Sequence, residues 1–361
     1  MENLTLNVGP SKLSPETKAD IKRAVDENLL EISHRSPQFA KISEQAVESL
    51  RQLFQIPEDW HILFTSSATE AMELALRSTV EKTSFHFTCG NFSEYFEKIS
   101  QSLYKNTLSQ KSVWGTPNDF LIDIPQEAEL ITITHCETST ACMVSLEDIK
   151  HVHQKYPEKF LAIDATSIMG SVNIDIHQAD IWLYSVQKCF GLPSGMGVFI
   201  CNPRVLERAI DLNNRKINPF GAFGLEKMVV KMQKNYNTIA TPNILDIYLS
   251  GRQAQRFLEK GGMNYLDNHT RDKAQKIYNF IESSSKITSF VTNPKERSLS
   301  IICGKSDPET IQKIHQACAK NNIKMGTGYG KMKAETFRLA NFPSITMEDI
   351  DRVLKVLRET L

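Results

Sequence analysis

A chain of 361 residues is long enough for two hydrophobic cores, and its 42 basic and 42 acidic side chains cancel, which excludes the basic stripe of a nucleic-acid binder or a partner of anionic membranes and points to a small-molecule substrate. No apolar run reaches membrane-spanning length, and the opening MENLTLNVGPSKLSP is polar and broken by proline, unlike a secretory signal. Seven cysteines, at 89, 136, 142, 189, 201, 303 and 318, form no CxxC pair and read as reduced, buried thiols of a cytoplasmic protein, with no disulfide frame or zinc cage.

After an irregular start, residues 16–28 have helical spacing, and 39–53 repeat it with Ile42, Val47, Leu50 and Leu53 on one face. Short apolar runs then alternate with helical stretches: WHILFT (60–65), SFHFT (84–88), ELITIT (129–134), KFLAID (159–164), DIWLYS (180–185) and GVFIC (197–201). Continuous apolar strands separated by helices predict a mostly parallel sheet covered on both faces. Beyond Gly251 the character changes to a helix over 271–283, a strand over 298–304, a helix over 307–321 and a last helix over 346–361. The division expected is a large α/β domain over 15–250 and a smaller α+β domain over 251–361, joined by residues 1–14.

KFLAID ends on Asp164 at the carboxyl edge of the sheet, where open α/β folds place their ligands. A carboxylate there either caps its turn with Thr166 and Ser167 or serves a ligand. Twenty-four residues on, DIWLYS runs into VQKCFGLPSGMGVFIC, which puts Lys188 at the same edge beside a loop of three glycines and a proline. Crowded, partly apolar surroundings depress an ammonium pKa, as imine formation with an aldehyde requires; the blander reading is a surface lysine before a turn. The pair is more specific than either member. A pyridine-ring cofactor needs an imine lysine on one side and, on the other, an acid that keeps its nitrogen protonated.

SSATEAMELALRS opens a helix directly after WHILFT, and the N–H groups of such a start favour an anion, although Ser67 to Glu70 also has the spacing of a capping box. The glycines of GTGYGKMK do not make a P-loop, because Met325 stands at the first glycine position and Met332 follows Lys331. His151 and His153 are one residue apart on a helical, lysine-rich stretch, a spacing that fits solvated side chains and not a metal site.

IDATS followed by SVQK, with Gly195 and Gly197 beyond, resembles the fold type I enzymes that use pyridoxal 5′-phosphate (PLP), specifically the class-V aminotransferases, and within them the phosphoserine aminotransferases. NVGPSKL near the start, SHRS at 33–36 and TPNILDIY at 241–248 extend the resemblance over nearly the whole chain. It implies an α/β architecture, a large domain with a mostly parallel sheet plus a smaller α+β C-terminal domain. It also implies PLP held as a covalent aldimine on Lys188, with Asp164 at the ring nitrogen, Phe92 stacked where relatives carry tryptophan, and Thr138 on the ring oxygen. Ala68, Thr69, Gln187 and, across a dimer, Thr241 match the residues at the cofactor phosphate. In GTGYGKMKAETFRLANFPS, Arg338 matches the arginine that grips the substrate α-carboxylate, and His34 with Arg35 match residues supplied by the neighbouring subunit, so a homodimer with shared active sites is implied.

The expected activity is PLP-dependent transamination of a small amino acid with a keto acid, phosphoserine with 2-oxoglutarate being favoured. Two departures bear on the substrate: Glu70 stands where relatives carry an arginine for the substrate phosphate, and a histidine of the C-terminal loop is missing, with Lys331 close by as a compensating charge. A class-V transaminase of serine or alanine, with pyruvate or glyoxylate, is the main alternative. A catalytically idle PLP-fold regulator is another; with Lys188, Asp164 and Arg338 all in place, nothing in the sequence favours it. Gln187 before Lys188, and Cys303 in an apolar strand, argue against a cysteine desulfurase.

Overall fold

In the computed structural model, which describes residues 3–218 and 221–361, the chain opens with strand β1 (Leu4–Leu6) and helices α1 (Pro15–Asp26) and α2 (Pro37–Phe54). Both helices carry proline in the first turn behind a serine cap: Ser14 Oγ accepts from Thr17 N and Ser36 Oγ from Phe39 N, each at 3.1 Å. Strands and helices then alternate through β2 (His61–Thr65), α3 (Ala68–Thr79), β3 (Thr83–Thr88), α4 (Asn91–Ser102), β4 (Asn106–Lys111) and β5 (Leu130–Thr134). A two-residue ladder, β6 (Cys136–Glu137) with β7 (Cys142–Met143), precedes α5 (Leu146–Lys155), β8 (Phe160–Asp164), β9 (Ile181–Ser185) and β10 (Gly197–Cys201). Helices α6 (Pro203–Asn214), α7 (Leu225–Asn235), α8 (Ile244–Glu259) and α9 (Gly262–Ser283) lead into β11 (Thr288–Ser289), β12 (Ile301–Lys305), α10 (Pro308–Lys320), β13 (Ile323–Thr327), β14 (Thr336–Ala340) and α11 (Met347–Thr360).

The six apolar runs form six strands of a seven-stranded sheet ordered β2-β10-β9-β8-β5-β3-β4, in which only β10 runs antiparallel to its neighbours. Every residue of β5, β8, β9 and β10 is buried, as strands covered by helices on both faces must be. The seventh strand, β4, escaped the sequence reading because NTLSQK is a polar, half-exposed edge.

A second sheet, ordered β1-β13-β14-β12-β11, is mostly antiparallel, but β1 joins it parallel to β13 with Leu4 opposite Ile323. The start of the chain is therefore a strand and not irregular; three residues are too few to show periodicity, yet Leu4 and Leu6 are fully enclosed with Met325, Phe337 and Leu339. Strand β12 begins later than expected, because Ser298 N bonds Ala141 O at 3.0 Å and Ser300 N bonds the Ser298 hydroxyl at 3.2 Å instead of extending the ladder. The two sheets own separate apolar clusters, and α9 serves both: Met263 and Leu266 belong to the first, Ala274, Ile277 and Ile281 to the second. Among the described residues no helix is long and apolar enough to cross a membrane.

Candidate active site

The carboxyl ends of β2, β5, β8 and β9 converge on one edge of the large sheet, and the turns leaving them carry polar side chains that the strands themselves exclude. There they line a cavity of about 370 Å³, a volume suited to a small ligand. Eight residues expected from the sequence line it together: Ala68, Thr69, Phe92, Thr138, Asp164, Gln187, Lys188 and Arg338.

Lys188 is buried, and its Nζ donates to Thr138 Oγ1 at 2.7 Å and Ser167 Oγ at 2.9 Å while lying 4.9 Å from the centroid of the Phe92 ring. Burial pushes the lysine pKa below its ordinary value, against the opposing pull of the Asp164 charge. Asp164 is buried at the end of β8, where desolvation raises its pKa while hydrogen bonding from Thr166 and the Lys188 charge work the other way; its Oδ1 accepts from Thr166 N at 2.9 Å. The turn-capping bond and the placement facing the cavity are thus both present in one side chain.

Arg338 comes from β14 of the other sheet. Its Nε donates to Thr327 O at 2.9 Å and its Nη1 to Thr138 O at 2.8 Å, so two backbone carbonyls from opposite walls aim the guanidinium; among the described residues Nη2 makes no hydrogen bond. At the α3 start, Ser67 Oγ accepts from Glu70 N at 3.3 Å, and Ala68 N donates to Ser185 Oγ at 2.8 Å. The donor set fits PLP: a desolvated amine for the aldehyde, a buried carboxylate for the ring nitrogen, an aromatic ring beside the amine, and a helix N-terminus for the phosphate.

Four expected residues, His34, Arg35, Thr241 and Lys331, lie elsewhere, and so does Glu70. Glu70 turns its carboxylate back to Ser66 N at 2.6 Å and borders a second cavity, also about 370 Å³, whose lining includes Thr241. Thr241 Oγ1 is 3.4 Å from His34 Nδ1, and Arg35 beside it is exposed; none of the three lines the Lys188 cavity of the same chain. Lys331 is exposed, two residues beyond Tyr329, and is not part of the lining. His151 is exposed as expected, but His153 is half-buried and turns its Nε2 toward Asp180 at 3.9 Å, so the two histidines are not alike.

Sequence reasoning missed Glu137 and Tyr329. Glu137 is fully buried, and its carboxylate accepts from Phe92 N, Ser93 N, Ser93 Oγ, Ser139 N and Ser139 Oγ at 2.6–3.1 Å, which caps α4 and fixes the backbone that carries Phe92. Gly90 makes the approach possible, since a Cβ there would sit 2.6 Å from Ser139 Oγ. The only sequence signal was an acid among small hydroxyl residues in HCETST; the helix it caps starts more than forty positions earlier. Tyr329 lines the cavity and packs its ring 5.4 Å from the Arg338 guanidinium.

The family model for Aminotransferase class-V matches residues 16–87 and 108–353. The chain is 29% identical to a phosphoserine aminotransferase of Corynebacterium glutamicum (strain R), over 96% of this chain and 91% of that one. A crystal structure of a phosphoserine aminotransferase from Cytophaga hutchinsonii superposes with a TM-score of 0.96 at 31% identity, covering 99% of both chains. The PLP-bound phosphoserine aminotransferase of Trichomonas vaginalis shares the fold, with a TM-score of 0.79 at 20% identity over 99% of this chain and 100% of that one. A family match across most of the chain, over a fold type I architecture with its amine and carboxylate in one cavity, places this protein among the class-V aminotransferases, a family whose membership implies PLP.

Proposed function

We propose that this chain is a phosphoserine:2-oxoglutarate aminotransferase of serine biosynthesis, working in the cytoplasm as a homodimer, with Lys188 as the amine that bonds the PLP aldehyde. The observation that carries this reading is the meeting of the Lys188 amine, the Asp164 carboxylate, the Phe92 ring and the Arg338 guanidinium in one cavity. PLP, when bound, supplies an aldehyde that condenses with amines and a pyridine ring that draws electron density from the substrate Cα.

The chain's own residues do the rest. Burial lowers the Lys188 pKa and so favours its neutral form; this amine would bond the PLP aldehyde and, when free of it, would hold and move the proton at the substrate Cα. Asp164 would hold the proton of the ring nitrogen, and Phe92 would cover the ring face. Thr138, already bonded to Lys188 Nζ, is placed for the ring oxygen; Ala68, Thr69 and Gln187 serve the phosphate at the α3 N-terminus. Arg338 offers its unengaged Nη2 edge to the α-carboxylate.

His34, Arg35 and Thr241 form an outlying group, and in a twofold dimer they reach the partner's cavity, His34 and Arg35 toward the substrate phosphate and Thr241 toward the cofactor phosphate. Lys331, exposed two residues beyond Tyr329, adds a cation on that side. Glu70 is compatible with a phosphorylated substrate because its carboxylate turns to Ser66 N and borders the second cavity, not the one that holds Lys188. The names of the similar proteins from Corynebacterium and Cytophaga favour phosphoserine as donor.

The test is a single half-reaction: the PLP-loaded protein is mixed with phosphoserine, serine or alanine without a keto acid, and the cofactor absorbance is followed. Rapid conversion by phosphoserine alone supports the assignment. Conversion by serine or alanine with phosphoserine inert replaces it with a transaminase of another small amino acid.

A further inference from the structure

Tyr329 sits on the short connection between β13 and β14, pinned by the sequence on either side of it. Gly328 permits the tight turn: a Cβ there would lie 2.6 Å from Met332 O and overlap Thr336 Oγ1. The Tyr329 ring is then held from three directions, 5.9 Å from Phe92 and 6.5 Å from Trp114 between ring centroids, and 5.4 Å from the Arg338 guanidinium carbon. Trp114 is itself fixed by a 2.8 Å bond from its Nε1 to Glu94.

The hydroxyl is directed as well. Asn91 Nδ2 donates to Tyr329 Oη at 3.1 Å, so the phenol oxygen is used as an acceptor and its own proton has no acceptor among the described residues. A phenol that lines a ligand cavity and keeps an unspent proton beside an arginine with an unengaged Nη2 is one half of a two-pronged anion clamp.

We propose that Tyr329 is a second substrate-binding residue, its hydroxyl donating to the same α-carboxylate that Arg338 holds, with Asn91 setting the direction of that donation. The proposal rests on the aminotransferase reading above and on Arg338 as the carboxylate arginine. Arg338 supplies charge; Tyr329 supplies a directional bond that an amine lacking the carboxylate does not receive.

The test compares two ligands of the PLP-loaded protein that differ only in that carboxylate. Phosphoserine affinity is read from the concentration dependence of the half-reaction, and phosphoethanolamine is read as a competitive inhibitor of it. In Y329F, phosphoserine binding should weaken by about 10- to 100-fold, the range for one hydrogen bond to a charged group. The phosphoethanolamine inhibition constant, the cofactor spectrum and the melting temperature should all stay at their wild-type values.

Equal weakening of both ligands would assign Tyr329 to the distal phosphate and overturn the proposal, and so would no weakening of either. A lowered melting temperature or a changed cofactor spectrum with both affinities intact would make Tyr329 a packing residue. If wild-type protein does not respond to phosphoserine, the substrate reading fails by itself. The same comparison then runs on the amino acid that does convert the protein and on its decarboxylated amine, with the same outcomes deciding.

Discussion

Replacing Glu137 by glutamine keeps the shape of the side chain and removes its charge, yet it should be costly. Both carboxylate oxygens face donors: Oε2 takes Ser93 N at 2.9 Å, Ser93 Oγ at 3.0 Å and Phe92 N at 3.1 Å, while Oε1 takes Ser139 N at 3.0 Å and Ser139 Oγ at 2.6 Å. Whichever way the glutamine amide is turned, its NH2 meets a backbone N–H that has lost its acceptor in a site closed to water. One lost charge-assisted bond and one stranded donor together come to about 3–5 kcal/mol. With an unfolding entropy of about 2.1 cal/mol/K per residue, that lowers the melting temperature of this chain by about 4–7 °C. The site should register the change too, because the Glu137 charge raises the Lys188 pKa, so E137Q should move that pKa further down. The assay is thermal unfolding of the loaded and cofactor-free proteins beside the pH dependence of the rate at which PLP bonds the cofactor-free protein. An E137Q protein melting within about 1 °C of wild type would refute the account of Glu137 as a buried anchor for the α4 start.

Asp164→Asn should leave the fold intact but slow the half-reaction on the order of 10²-fold or more, since the amide cannot stabilise a protonated ring nitrogen; a near wild-type rate would remove Asp164 from that role. Borohydride reduction of the loaded protein should leave a stable mass addition on the peptide containing Lys188 and none in Lys188→Ala; label elsewhere would displace Lys188 as the bonded amine. Asp246, whose Oδ1 is buried without a partner, has a pKa raised to about 6 by desolvation. The folded protein therefore binds its proton more tightly than the unfolded chain does, and this contribution is full below the ordinary value of 3.8 and lost as pH rises through about 6. D246N, which cannot ionise, should gain in melting temperature relative to wild type between those pH values, and parallel curves would contradict the shift.

What the sequence disclosed follows the length scale of its signals. The strands that carry the site were legible because a sheet covered on both faces demands continuous apolar runs, and each run ends where the first polar side chain meets the cavity, as at Asp164 and in the turn that leads to Lys188. Residues working through partners far along the chain left no such mark: Glu137 bonds Ser93 across 44 positions and Tyr329 bonds Asn91 across 238. A short strand such as β1 is equally silent, since its three residues gain meaning only from pairing with β13.

Glu70 shows how a local rule and a family comparison compete over one residue. Read against its relatives, it is an acid where an arginine belongs, and it argues against a phosphorylated substrate. Read as the third residue of a helix capped by Ser67, it is a candidate partner for the backbone at the helix start, and its carboxylate is in fact bonded there, one residue before the cap, to Ser66 N at 2.6 Å. The two readings make different demands on a variant. If Glu70 repelled the substrate phosphate, E70Q should tighten phosphoserine binding by removing a charge; if the carboxylate only serves Ser66 N, E70Q, whose amide oxygen still accepts there, should leave that affinity and the melting temperature close to wild type, while E70A should leave the affinity unchanged and cost about 0.5–2 kcal/mol of stability. We expect the second result, measured as phosphoserine affinity in the half-reaction beside the melting temperature. Tighter binding in E70Q would return Glu70 to the substrate site, where it would oppose the cationic complement that His34, Arg35 and Lys331 offer the phosphate.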